Sequence, residues 1–118
     1  MTEKIINIKI KDSICMDKAV SSDDGDILFK HIAEEIQSGS VVELDFSGIS
    51  MMTTAFLNSA IGQLYSLFTS EQLNKYVRLV NVADEDKVLF RKVVNRAKEF
   101  FANRKGFEDS ANKAIYGH

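Results

Sequence analysis

The chain has 118 residues, of which 45% are apolar and 27% are charged, and its formal net charge is −2. This length suits one domain with a single hydrophobic core. The small net charge gives no reason to expect binding to nucleic acid or to an anionic membrane surface.

Cysteine content and hydropathy narrow the possible classes further. Cys15 is the only cysteine, which excludes an intrachain disulfide and a cysteine-based zinc site. Because it lies between Ile14 and Met16, we expect it to be a small buried hydrophobe. No apolar run reaches the roughly 18 residues of a transmembrane helix, so we expect a cytoplasmic protein.

The first 40 residues predict one clear strand, a weaker second strand and a helix. Isoleucines alternate with polar residues from Ile6 to Ile10, which is the period of a half-buried strand. Ile14–Met16 is a weak candidate for another strand. Ser21–Asp24 is typical of a helix start, and Ser38–Ser40 contains the glycine that commonly ends one. The apolar side of this helix is predicted to consist of Ile27, Leu28, Ile32 and Ile36.

The segment from Val41 to Phe68 is the part around which the chain is organised. It begins with a short, β-branched apolar run that predicts a strand ending near Phe46. Ser47 and Gly48 then supply turn chemistry. An uncharged, hydroxyl-rich junction, Ser50–Thr54, follows, and after it a helical stripe. That stripe comprises Leu57, Ala60, Ile61, Leu64 and Phe68.

The last third predicts a loop or fraying helix end at 69–72, a strand at Tyr76–Val80 and a long helix capped near Asp84. The apolar side of that helix is predicted to comprise Val88 or Leu89, with Val93, Ala97, Phe100 and Phe101. Periodicity is lost beyond Gly106, which predicts a tail whose apolar residues remain able to dock. Those residues are Phe107, Ile115 and Tyr116.

Strands that alternate with helices indicate an α/β fold with a mostly parallel sheet. About four strands, with helices mainly on one face, is the economical arrangement for this length. The whole chain, 1–118, is therefore interpreted as one domain. It divides into 1–40 with the first strand or strands and first helix, a central region 41–101, and a tail at 102–118.

The central region also carries a family resemblance. Leu44–Ile49, reading Leu-Asp-Phe-Ser-Gly-Ile, resembles the strand end in the signature of STAS domains, which include bacterial anti-sigma-factor antagonists. Met52–Leu57 lies where that signature has its loop-to-helix junction. The match is closer still to a family of small, largely uncharacterised STAS-like domains, whose Arg-Leu-Val-Asn-like strand is echoed by Arg78–Asn81. The resemblance is good over Val41–Phe101 and loose before it.

The resemblance implies a non-enzymatic regulatory module whose partner is a histidine-kinase-like ATPase or an anti-sigma factor. Thr54 stands at the position of the phosphorylated serine. Thr53, Ala55 and Phe56 stand where the signature has aspartate, a second serine and glycine. A phosphate on Thr54 would add about −1.5 to −2 charge beside the helix start.

Several alternatives for the junction remain open from the residues alone. In the first alternative, Thr53 or Thr54 acts only as the N-cap of the helix. In the others, Thr54 is a phosphoacceptor or a residue that contacts a partner. Met51, Met52 and Phe56 are core residues, unless one of them faces outward and forms an adaptable apolar contact. A further alternative is a small-ligand or nucleotide site that binds an anion at the same helix N-terminus.

The remaining polar residues predict structural roles and no catalysis. Ser47 and Ser50 are expected to form turns, and Asp45 to cap loop amides or stay solvated. No Glu or Asp occurs between Asp45 and Glu71, so no local pair of carboxylates can do acid–base work with Asp45, and His31 is expected on the surface. We therefore predict no catalytic residues, no metal and no cofactor. The partner-contact residues are predicted to be Ser50, Met51, Met52, Thr53, Thr54 and Phe56.

Overall fold

The structure is a computed structural model that describes residues 4–116, with side chains for residues 4–101. Its strands are β1 (Ile5–Lys9), β2 (Lys18–Ala19), β3 (Val41–Asp45), β4 (Met51–Met52) and β5 (Val77–Val80). Its helices are α1 (Ile10–Ile14), α2 (Ser22–Gln37), α3 (Thr54–Ala60), α4 (Ser70–Tyr76) and α5 (Asp84–Tyr116), with a 3₁₀ helix at Gly62–Ser66. The predicted α/β class is confirmed.

All strand pairs in the described chain are parallel. β1, β3 and β5 form one sheet in that order, with Ile8 opposite Leu44 and Leu44 opposite Leu79. β2 and β4 form a separate two-stranded ribbon. β3 lies in the centre of the main sheet, and helices lie in the connections from β1 to β3 and from β3 to β5, as parallel crossovers require.

One face of the main sheet carries the core. Ile8, Val42 and Leu44 alternate along β1 and β3 and are almost fully buried. The opposite face carries the buried Val41 and, beside it, a polar pair in which the Asn7 side-chain amide donates to a Glu43 carboxylate oxygen at 3.0 Å. The helices therefore cover mainly one face of the sheet, as predicted. The core is completed by residues of α2, α3 and α5, namely Leu28, Ile32, Phe56, Leu57, Phe90 and Val93.

Close contact between α2 and α3 depends on Gly25. A Cβ atom at this position would lie 2.6 Å from the Phe56 carbonyl oxygen and 2.7 Å from the Ser59 Cβ. Real Cβ contacts are not that short, so any side chain here would force the two helices apart. The Gln63 side-chain amide also donates to an Asp26 carboxylate oxygen at 2.7 Å and joins α2 to the 3₁₀ helix.

The first half of the chain departs from the sequence predictions at three points. The predicted strand at Ile14–Met16 is wrong, because Ile14 ends the short helix α1 and Cys15 takes a left-handed conformation with φ 60°. Cys15 is also exposed instead of buried. Ile27, which was predicted on the apolar side of α2, is 59% exposed. The buried stripe of α2 runs through Leu28 and Ile32 and does not include Ile27.

Two helices in the second half differ from their predicted extent. The stripe that begins after Phe56 is divided, with α3 ending at Ala60 before the 3₁₀ helix. Where a loop or fraying end was predicted, α4 forms. Thr69 caps it, and the Thr69 and Gln72 side chains exchange bonds with each other's backbone N–H groups. This capping box is readable in the sequence as Thr-x-x-Gln.

The final helix begins at Asp84 as predicted and buries Phe90, Val93 and Ala97. Phe100, predicted on its apolar side, is 59% exposed. The helix runs to Tyr116 through the segment that predicted a tail, and 102–116 contains no proline to end it. The predicted docking of Phe107, Ile115 and Tyr116 lies outside the described side chains.

The contact at Gly25 generates a prediction. Gly25→Ala should lower the free energy of unfolding, because the cost of overpacking, about 1–3 kcal/mol, exceeds the gain in helix propensity. Urea denaturation followed by circular dichroism measures the change. Gly62→Ala is the matched control, since its Cβ would meet nothing closer than 3.7 Å. Equal stability of the two variants would contradict the interpretation.

Candidate functional site

The β2–β4 ribbon fixes the segment that leads into α3. The backbone N–H of Ser50 donates to the Asp17 carbonyl at 2.7 Å, and that of Thr53 donates to the Ala19 carbonyl at 3.1 Å. Within the ribbon, Lys18 pairs with Met51 and Ala19 with Met52. Because side chains alternate along a strand, Ala19 and Met52 face the core, whereas Lys18 and Met51 face outward.

Thr53 is the N-cap of α3, and its hydroxyl makes bonds in two directions. Its Oγ1 accepts from the Phe56 backbone N–H at 3.2 Å and donates to the Val20 carbonyl at 2.7 Å. The hydroxyl therefore joins the start of α3 to the residue that follows β2. Of the two threonines proposed as caps, Thr53 takes this role.

Thr54 is the first residue of α3, and its side chain is exposed. Within residues 4–101, no hydrogen bond engages its hydroxyl. The two adjacent threonines thus have different surroundings, because one is fixed by two bonds and the other faces solvent. An exposed hydroxyl on a rigid backbone is accessible to a modifying enzyme or to a partner.

Of the three apolar residues predicted to contact a partner, one is exposed and two are buried. Met51 is 53% exposed, whereas Met52 and Phe56 are core residues at 8% and 0%. Met52 faces the opposite side of the ribbon from Met51, and both Met52 and Phe56 belong to the hydrophobic core. The prediction that Met52 and Phe56 contact a partner is therefore wrong.

Other exposed apolar side chains flank Met51 on the ribbon side. Met16 is 48% exposed and Val20 is 37% exposed, and they lie just before and just after β2. Sequence reasoning missed them because β2 itself was not predicted. The alternation of Met16, Lys18 and Val20 around Ala19 was the available signal. We call the surface formed by Met16, Val20, Met51 and Thr54 the junction surface.

Ser50 bonds across the ribbon instead of forming a local turn. Its Oγ donates to a carboxylate oxygen of Asp17 at 2.8 Å. This hydrogen bond is the main reason that the pKa of Asp17 is lowered from its ordinary value. The bond links the loop after α1 to the loop before β4, and so holds the junction surface in place.

Asp45 ends β3 and joins it to β5. One carboxylate oxygen accepts from the Ser47 backbone N–H at 2.9 Å and from the Asn81 side-chain amide at 2.9 Å. The Asn81 bond, followed by the Ser47 bond, lowers the pKa of Asp45. The turn after it closes where the Ile49 N–H donates to the Phe46 carbonyl at 3.2 Å, with Gly48 at φ 80°. Sequence reasoning did not identify Asn81 as the partner of Asp45.

The described residues contain no group of three or more His, Cys, Asp or Glu side chains arranged to hold a metal ion. His31 is exposed on α2, as predicted. No helix in the part of the chain that the structure describes has both the length and the apolar character needed to cross a membrane. The alternative anion site has little support, since α3 has seven residues and the Phe56 N–H is already bonded to Thr53.

Comparison with protein families matches residues 24–87 to a family described as a STAS-like domain of unknown function, DUF4325. The match covers more than half of the chain and includes β3, the junction and β5. The chain belongs to this family. The predicted STAS-like resemblance is thereby confirmed. Comparisons with curated proteins and with solved structures find no match.

The double bonding of Thr53 generates a prediction for this STAS-like domain. Thr53→Ala should reduce the free energy of unfolding by about 1–2 kcal/mol, because it removes an N-cap and leaves the Val20 carbonyl without its donor. Thr53→Ser keeps the hydroxyl and should retain most of the stability. Urea denaturation of the three proteins measures the effect. A Thr53→Ala variant as stable as the wild type would contradict the assignment.

The bonds to Asp45 generate a prediction about pH. A carboxyl whose pKa is lower in the folded state stabilises the fold above its unfolded pKa of about 3.9, and this stabilisation is lost as pH falls through the folded pKa. The stability difference between wild type and Asp45→Asn should therefore be largest near neutral pH and shrink on acidification below about pH 4. Urea midpoints across this range test it, and a difference independent of pH would exclude the mechanism.

Proposed function

We propose that this STAS-like domain is a non-enzymatic regulatory module that binds a protein partner through the junction surface, and that phosphorylation of Thr54 switches the binding. The observation that carries the proposal is the exposed Thr54 hydroxyl at the start of α3, which makes no hydrogen bond to the described side chains or backbone and lies beside a fixed Thr53. By resemblance to anti-sigma-factor antagonists, the partner is a histidine-kinase-like ATPase or an anti-sigma factor. A cytoplasmic location belongs to the same proposal.

The surroundings of Thr54 suit a reversible switch. The Thr53 bonds and the β2–β4 ribbon hold the backbone whether or not Thr54 is modified. A phosphate at the first helical position is electrostatically compatible with the backbone N–H groups there. The fold would survive modification, while the surface beside Met51 would gain a strongly hydrated charge.

The same charge would oppose the binding of an apolar partner surface. Met16, Val20 and Met51 offer exposed, adaptable apolar contacts, two of them methionines. Burying a phosphate against such a surface without a cation to pair it costs desolvation energy. Modification would thus change affinity without a change of conformation in this domain.

Replacing Thr54 by glutamate tests the switch. Thr54→Glu should leave the free energy of unfolding within about 1 kcal/mol of wild type, because an acidic residue suits the first turn of a helix. It should weaken binding to the partner at least tenfold, which corresponds to about 1.4 kcal/mol. Isothermal titration calorimetry with the histidine-kinase-like ATPase or anti-sigma factor encoded nearest to the gene measures this affinity.

Ser70→Glu is the matched control. Ser70 is the first residue of α4 after the N-cap Thr69, as Thr54 is the first residue of α3 after Thr53. It lies before β5 and outside the junction surface, so binding should be unaffected. Equal weakening by both glutamates, or unchanged binding of Thr54→Glu, would refute the switch. Incubation with the ATPase and ATP should phosphorylate wild type and Thr54→Ser but not Thr54→Ala, as read by mass spectrometry.

A further inference from the structure

The second feature with functional implications is the outer edge of β5, which is separate from the junction surface. β5 pairs with β3 on one side, and no strand of the described chain pairs with it on the other. An unpaired edge of a parallel sheet presents backbone N–H and C=O groups that can bond to another extended segment. No residue of this edge belongs to the junction surface.

The hydrogen bonds identify which groups are open. The Val80 carbonyl accepts from the Phe46 N–H at 3.1 Å, so Val80 directs its backbone groups toward β3. Backbone groups alternate along a strand, and those of Leu79 therefore point to the free edge. The Val77 N–H is already bonded to the Leu73 carbonyl of α4. The open part of the edge is thus short and centred on Leu79.

A cavity adjoins this edge on the core face of the sheet. It has a volume of about 350 Å³, and Leu79, Val82 and Phe90 form its apolar wall, with Asn81 and Lys87 at its polar rim. Leu79 is 41% exposed although it lies on the core face, because β5 is the last strand of the sheet. A segment added beside β5 would place a side chain next to Leu79 and over the cavity.

On the opposite face of the sheet, Arg78 gives the β5 edge a preference for acidic side chains. Arg78 is exposed and lies beside Glu43 in the sheet, yet among residues 4–101 it makes no ion pair. One Glu43 oxygen instead accepts from the Asn7 amide. A carboxylate on an added strand would lie on the free side of Arg78 and continue the alternation of charges across the sheet.

We propose that the outer edge of β5 binds an extended peptide segment of a partner protein by strand addition. The segment presents an apolar side chain to the cavity beside Leu79 and carboxylates on the face of Arg78. The hydrogen bonds of Leu79 supply the pairing, the cavity selects the apolar residue, and Arg78 selects the acidic neighbours. This binding is independent of the state of Thr54.

The test uses a fluorescein-labelled synthetic heptapeptide that alternates Glu with Val or Leu, titrated with the full chain and followed by anisotropy. Binding should be lost when alternate peptide amides are N-methylated, because these can no longer bond to the Leu79 edge. Leu79→Lys should weaken binding at least tenfold. Ile5→Lys, an exposed position on the opposite edge strand β1, is the control and should not change it.

Charge exchange gives a second, independent readout. Arg78→Glu should lose the acidic peptide and gain affinity for the same peptide with Lys in place of Glu, which a merely misfolded variant would not do. No binding at about 1 mM peptide, the weak end of measurable affinity, or insensitivity to N-methylation, would overturn the proposal. So would a dimer of wild type that Leu79→Lys dissociates, since the edge would then pair with a second copy. Thr54→Glu should bind the peptide normally, so failure here leaves the switch proposal standing.

Discussion

The candidate site depends on the hydroxyl of one residue, Thr53, which satisfies backbone groups on two different elements. Its bond to the Phe56 N–H starts α3, and its bond to the Val20 carbonyl fixes that start against the end of β2. Phe56 is thereby directed into the core, and the next hydroxyl along the chain is left in solvent. Exposure of Thr54 is a consequence of how Thr53 is used.

Much of the fold was predictable because its signals are local. Period-two alternation gave β1, a serine before aspartates gave the start of α2, and the Asp-x-Ser-Gly strand end gave β3 and its turn. The rest depends on contacts between distant residues. Met51 faces outward because β4 pairs with β2, and Asp45 is held by Asn81, which lies 36 residues later. The sequence does not show which strand pairs with β4 or which side chain bonds to Asp45. The sequence therefore predicted a candidate segment, but it did not separate the buried residues of that segment from the exposed ones.

The two proposed surfaces use different physical properties of the same α/β scaffold. At the junction, a fixed backbone presents an exposed hydroxyl beside adaptable apolar side chains, which suits control by charge. At β5, an edge without a neighbouring strand in the described chain, an apolar cavity and the exposed Arg78 guanidinium suit recognition of an extended segment. A regulatory domain with both would keep its attachment to one protein while its contact with another is switched.

The parallel topology has a consequence for how the chain folds. Asn7 and Glu43, neighbours in the main sheet, are 36 residues apart, and Asp17 and Ser50, which join the ribbon loops, are 33 apart. Among the strands that the structure describes, none pairs with its partner through a hairpin. Each pairing must therefore close a long loop before it contributes stability, which is slow relative to local contacts. The contact between α2 and α3 carries the same cost, because Gly25 and the Phe56 carbonyl that it approaches lie far apart in the sequence.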